Sequence, residues 1–149
     1  MLRGRDAVVL CNLVDQSHVG LNLQLSAKDG RLAAAGIQTL VADGAGCCGA
    51  IRTHLGDTDG GLADMRRNID AWWPLVDGLT SQGKVEAIVM NASGCGVTVK
   101  DYGHALAGDP AYADKARRTG EPTRALSAPP PDMVAPLNAK LHQRKLPSL

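Results

Sequence analysis

Residues 85–96 read VEAIVMNASGCG. Five of the first six are apolar, in a run too short for a helix, which predicts a buried strand. The next six are small or turn-forming and lead toward a helix expected to start near Val97, with Cys95 at its N-terminus. Upstream the same arrangement recurs. Ile37 to Val41 read as a strand, followed by the glycine-rich loop ADGAGCCGA (42–50), which carries Cys47 and Cys48. Further upstream, DAVVLCNLV (6–14) reads as another buried strand, with Cys11 inside it.

Helices separate these strands. In 21–35, Leu21, Leu25 and Leu32 share a face, and Gly36 follows as a helix-ending glycine would. The clearest helix spans 59–77, where Leu62, Met65, Ile69, Trp72 and Val76 recur at intervals of three and four. Arg66, Arg67, Asn68 and Asp70 are assigned to its polar side, Pro74 to a kinked or shortened last turn, and Gly78 to its end. Strands alternating with helices predict an α/β fold: a Rossmann-like parallel sheet of about three strands, with right-handed crossovers and flanking helices. A further helix is expected over 110–126. SAPPPD (127–132) reads as a linker, and a short tail carries Val134, Leu137 and Leu141. The expected division is a domain over 1–126 and a linker with tail over 127–149.

Composition removes several classes of function. The chain has 149 residues, 44% hydrophobic and 21% charged, which excludes a disordered chain, a collagen and a coiled coil. A net charge of +1 gives no basis for a nucleic-acid partner. No apolar run approaches the roughly 18 residues of a membrane span, and the apolar start lacks a cleavage pattern, so no secretory signal is expected. A cytoplasmic location with reduced thiols or metal-ligated cysteines follows as the expectation. Phe is absent and Gly numbers 17. The core must therefore rest on aliphatic side chains and close backbone approaches.

Chemistry is expected at the cysteines. In an open parallel sheet, ligands sit beyond the carboxyl ends of the strands. Cys47, Cys48 and Cys95 all follow predicted strands, so neighbouring strands would bring them into one site. Cys95 at a helix N-terminus is expected to have a lowered thiol pKa. Thiolates beside glycine-rich backbone N–H groups suit an iron–sulfur cluster. Zinc is less natural without two-residue cysteine spacing, and a Cys47–Cys48 thiol couple is disfavoured by the strain of a disulfide between adjacent residues. Cys11, inside an apolar strand, is first a packing residue.

Six segments carry a resemblance: AGCCGA (45–50) with HLG (54–56), RRNIDAWWPLVD (66–77), AIVMNASGCG (87–96), VKDYGH (99–104) and DPAYADKA (109–116). Together they resemble the CCG cysteine-rich domain of glycolate oxidase (glycolate dehydrogenase) iron–sulfur subunits, shared more broadly with heterodisulfide reductase and lactate-utilisation proteins. The resemblance implies an iron–sulfur electron-transfer module, of 4Fe–4S type, that takes electrons from a flavin-containing subunit oxidising glycolate to glyoxylate. It implies peripheral membrane association through that complex, and no substrate chemistry in this chain itself. It maps Cys47, Cys48 and Cys95 onto ligand positions. Those subunits also have ferredoxin-type motifs and two CCG domains, and this chain looks like the first CCG domain alone.

The family pattern places a further cysteine after the first strand. Cys11, with 35 residues between it and Cys47, fits by count, while alignment of the following helix brings Asp15 to that place. The pattern also ends in CxxC, where this chain has Ala92 before Cys95. The other reading is a metal-free docking or structural fragment of the same family. Among the remaining candidates, His54 and His104 divide evenly between site and surface, Lys100 reads as solvated and His18 as a loop residue. Tyr102 and the Trp72–Trp73 pair read as packing or interface, and Arg66 and Arg67 as a solvated face or subunit contact.

Overall fold

The structure is a computed structural model, and it describes residues 5–10, 37–40, 42, 44–79, 84–90 and 92–125. Cys11, Asp15, His18, the helix expected at 21–35, and residues 126–149 lie outside the described residues. The elements, in chain order, are β1 (Arg5–Leu10), β2 (Ile37–Leu40), α1 (Ala50–His54), α2 (Thr58–Val76), β3 (Ala87–Met90), α3 (Ser93–Lys100), α4 (Tyr102–Ala105), α5 (Ala113–Gly120) and β4 (Thr123–Ala125). The α/β class expected from the alternation is present.

The sheet has four strands in the order β2-β1-β3-β4, and every pair is parallel. β1 therefore lies between β2 and β3. Val9 pairs with both Leu40 and Ile88, and Leu10 is level with Val89. The expected three strands become four because the segment read as one helix over 110–126 divides. Helix α5 stops at Gly120, Pro122 cannot donate to a helix, and the chain pairs with β3 instead. Ile88 N–H donates to Pro122 O at 3.1 Å, and the Thr123 hydroxyl donates back to Thr119 O at 2.9 Å. A three-residue strand is too short to show an alternating pattern.

Helix α2 supplies the core. Asp57 caps it by accepting from Gly60 N–H at 3.0 Å. The helix runs through Pro74 for two more residues, and Gly78, at φ 73°, turns the chain away in the left-handed region. Its stripe is buried as expected: Met65, Ile69, Trp72 and Val76 all face the core, with Leu62 packed at the edge. With no Phe available, one tryptophan and one tyrosine fill the centre. Trp72 stacks on Tyr102 with ring centroids 6.5 Å apart, against Ile88, Met90, Val99 and Leu106. Trp73, one residue on, lies at the surface under the Arg118 guanidinium, 4.7 Å from its ring, and Arg118 also pairs with Asp77. These contacts tie α5 to α2. Ile69 is fully buried, so Ile69→Val is expected to cost about 0.5–1.5 kcal/mol. A denaturation midpoint equal to wild type would show the stripe to be loosely packed.

Candidate cysteine site

The site forms at the carboxyl ends of the strands. β2 precedes the loop with Cys47 and Cys48, and β3 precedes α3, which carries Cys95. β2 and β3 are not neighbours, because β1 separates them. Their loops still meet. The thiols of Cys48 and Cys95 are in hydrogen-bonding contact, and Cys47 is near enough to act on Cys95 electrostatically. Cys48 and Cys95 are buried, Cys47 is half-buried, and all three are free thiols.

Helix α3 starts at Ser93, earlier than expected, so Cys95 lies in its first turn. The expected acidic thiol is overturned. Burial, followed by the hydrogen bond with Cys48 and the negative charges of Cys48 and Cys47, pushes the Cys95 thiol up to about 12. A helix N-terminus favours thiolate by a modest amount. Loss of water and two like charges nearby outweigh it.

The Cys47–Cys48 loop is bonded to two helices. Asn68, on α2, accepts from Gly46 N–H at 2.7 Å and donates to Cys47 O at 2.8 Å. Its amide nitrogen also lies 3.1 Å from the Tyr102 hydroxyl, which donates to Cys48 O at 2.9 Å. Arg67 donates to Cys47 O at 3.2 Å while paired with the buried Asp64, which Arg52 also reaches. Beyond the pair, Gly49 has φ 88° and lies close against Gly61 of α2.

Asn68 is the residue that sequence reasoning misplaced. Its residue type predicts the polar side of α2, yet it is fully buried. Its spacing carried the signal: Asn68 follows Met65 by three and precedes Trp72 by four, which sets an amide on the apolar stripe. Tyr102 does pack, as expected, and its hydroxyl also holds the loop. Arg67 is half-solvated but reaches the loop, and Arg66 instead pairs with Asp109 at 2.8 Å. His54 is exposed on α1. Lys100 and His104 line an open groove with Arg117 and Glu121, a groove that none of the cysteines lines. Cys11 lies outside the described residues, but β1 delivers the chain to Leu10 between the two loops.

Residues 11–100 match the family described as the CCG cysteine-rich domain. The chain belongs to that family. The CCG domain is 50% identical over 86 residues to the glycolate oxidase iron-sulfur subunit of Escherichia coli (strain K12), covering 58% of this chain and 20% of that protein. It is 32% identical over 82 residues to the probable glycolate oxidase iron-sulfur subunit of Bacillus subtilis (strain 168), covering 55% of this chain and 17% of that protein. The aligned part thus spans about a fifth of each relative's length. No solved structure matches. Among the described residues no helix is long and apolar enough to cross a membrane.

The donors of this CCG domain fit an iron–sulfur group on their chemistry. Among the described residues no three His, Cys, Asp or Glu side chains are placed to hold one metal ion. The three cysteines are soft sulfur donors, carried on two glycine-rich loops at the ends of the two strands that flank β1. Their mutual repulsion as thiolates is what a cationic iron group offsets.

Proposed function

We propose that this CCG domain is the cysteine-rich lobe of an iron–sulfur electron-transfer module in a glycolate-oxidising complex. The observation that carries the reading is the meeting of Cys48 and Cys95, with Cys47 beside them, at the carboxyl ends of strands flanking β1. The names of the two relatives support the complex, and flavin-containing glycolate oxidase subunits are the proposed partners. The domain is read as Rossmann-like over 1–126, with 127–149 as linker and tail. It is cytoplasmic and touches the membrane peripherally through its complex.

In this reading Cys47, Cys48 and Cys95 are ligands to a cluster of 4Fe–4S type, and Cys11 is the fourth. Support for Cys11 is topological: it is the next residue after β1, the strand that lies between the two cysteine loops. Bound there, the cluster supplies one-electron storage and relay. The protein's own residues hold the thiols at the strand ends, bury them, and surround them with glycine backbone. No residue here is assigned to substrate chemistry.

The test is anaerobic reconstitution of the whole chain with ferrous iron and sulfide. Bound iron and acid-labile sulfide in equal amounts, with a visible charge-transfer spectrum, are expected. A chain that stays folded and takes up no iron would overturn the reading in favour of a metal-free docking fragment.

A further inference from the structure

A loop with adjacent cysteines between glycines has little side-chain bulk to hold its peptides in one orientation. Here two successive carbonyls are each tied down. Cys47 O accepts from Asn68 and Arg67, Cys48 O accepts from the Tyr102 hydroxyl, and Asn68 also takes the Gly46 N–H. Asn68 thus pairs with the loop as a neighbouring strand would, but from a helix. Asn68 is fully buried, on the helix whose Met65, Ile69 and Trp72 build the core. Asparagine is a poor helix former, and a buried amide is costly unless bonded. A leucine would suit a core stripe better, so the loop is what accounts for an amide at 68. Tyr102 is held in turn by its stack on Trp72.

We infer that Asn68 and Tyr102 are positioning residues for the cysteine site. They hold the Cys47 and Cys48 carbonyls in hydrogen bonds to α2 and α4. A carbonyl oxygen facing a cluster of thiolates adds negative potential to it, whereas N–H groups relieve it. With the carbonyls bonded to these donors, the thiols keep a fixed arrangement and the site is spared that repulsion. The redox consequence rests on the proposed cluster. The hold on the loop does not.

The test compares the whole chain as wild type, Tyr102→Phe and Asn68→Ala, with Leu106→Ala as a variant of the same core that removes none of the loop's hydrogen bonds. In the cluster-free protein, the rate of Cys48 modification by iodoacetamide is followed by peptide mass spectrometry. A rise of about tenfold is expected in Tyr102→Phe, where a buried carbonyl loses its donor, and a larger one in Asn68→Ala. Unchanged rates, or an equal rise in Leu106→Ala, overturn the inference. After reconstitution, redox titration and electron paramagnetic resonance compare wild type with Tyr102→Phe. A more negative midpoint with an altered spectrum is expected, and identical values overturn the positioning role. If the wild type takes up no iron, the cluster reading falls by itself, and the alkylation rates still decide whether Asn68 and Tyr102 hold the loop.

Discussion

Cys48→Ala is expected to emerge from anaerobic reconstitution with only background iron, while its cluster-free form melts close to wild type. Cys48 is 1% exposed, its thiol meets that of Cys95, and its carbonyl is bound by Tyr102. No other described cysteine can take its place, since Cys47 and Cys95 already serve as ligands in the proposed set. Loss of a residue that only supports a ligand commonly lowers metal affinity about 10–100-fold, and loss of a ligand exceeds that. The folding cost is small by comparison. Trimming one sulfur from the core removes a buried group the size of a methyl, about 1 kcal/mol. The two measurements separate ligand from packing: iron analysis must collapse while the melting temperature barely moves. Full iron in Cys48→Ala would remove Cys48 from the ligand set. A large fall in melting temperature without loss of iron would make it a packing cysteine.

Gly49→Ala is expected to cost about 2–5 kcal/mol, combining a left-handed backbone with overpacking. Gly49 sits at φ 88°, and a Cβ there would lie 2.5 Å from Gly61 O, within the backbone of α2. That contact cannot be relieved by rotating a side chain. Either α1 lifts from α2 or the loop before it shifts, and Cys48 is the adjacent residue. Gly56 provides the comparison, with φ 87° and nothing within 4 Å of its Cβ position. Gly56→Ala carries only the backbone cost, about 1–2 kcal/mol. Urea unfolding of the two variants therefore isolates the steric part. Equal midpoints for Gly49→Ala and Gly56→Ala would show that α1 and α2 are not pressed together at Gly61. A stability of 5–15 kcal/mol is usual for a domain, so the larger loss would leave Gly49→Ala marginally folded and poorly able to take up iron.

The stripe of α2, the apolar runs of β1, β2 and β3, and the position of three cysteines beyond strand ends were all legible in the sequence. Each is a local pattern, repeating every two to four residues or lying just beyond a run, and burial of one face enforces it. Asn68 was not legible in the same way. Its polarity argued for solvent, and only docking of the Cys47–Cys48 loop, 21 residues earlier in the chain, makes a buried amide there favourable. β4 was hidden because three residues cannot display alternation, and the Ala- and Arg-rich segment before them favours a helix.

Thiol acidity is likewise not encoded locally. The helix terminus at Cys95 is visible in the chain order, but burial and the neighbouring sulfur of Cys48 are not, and they win. By itself, the sequence determined an α/β chain with its cysteines at strand ends, because hydrophobic periodicity and turn residues act over short range. Only the tertiary structure decided that β1 separates the two cysteine-bearing strands, that Asn68 and Tyr102 hold the loop, and that the Cys95 thiol resists ionisation. Those properties depend on contacts such as Tyr102 with Cys48, 54 residues apart, which no local pattern encodes.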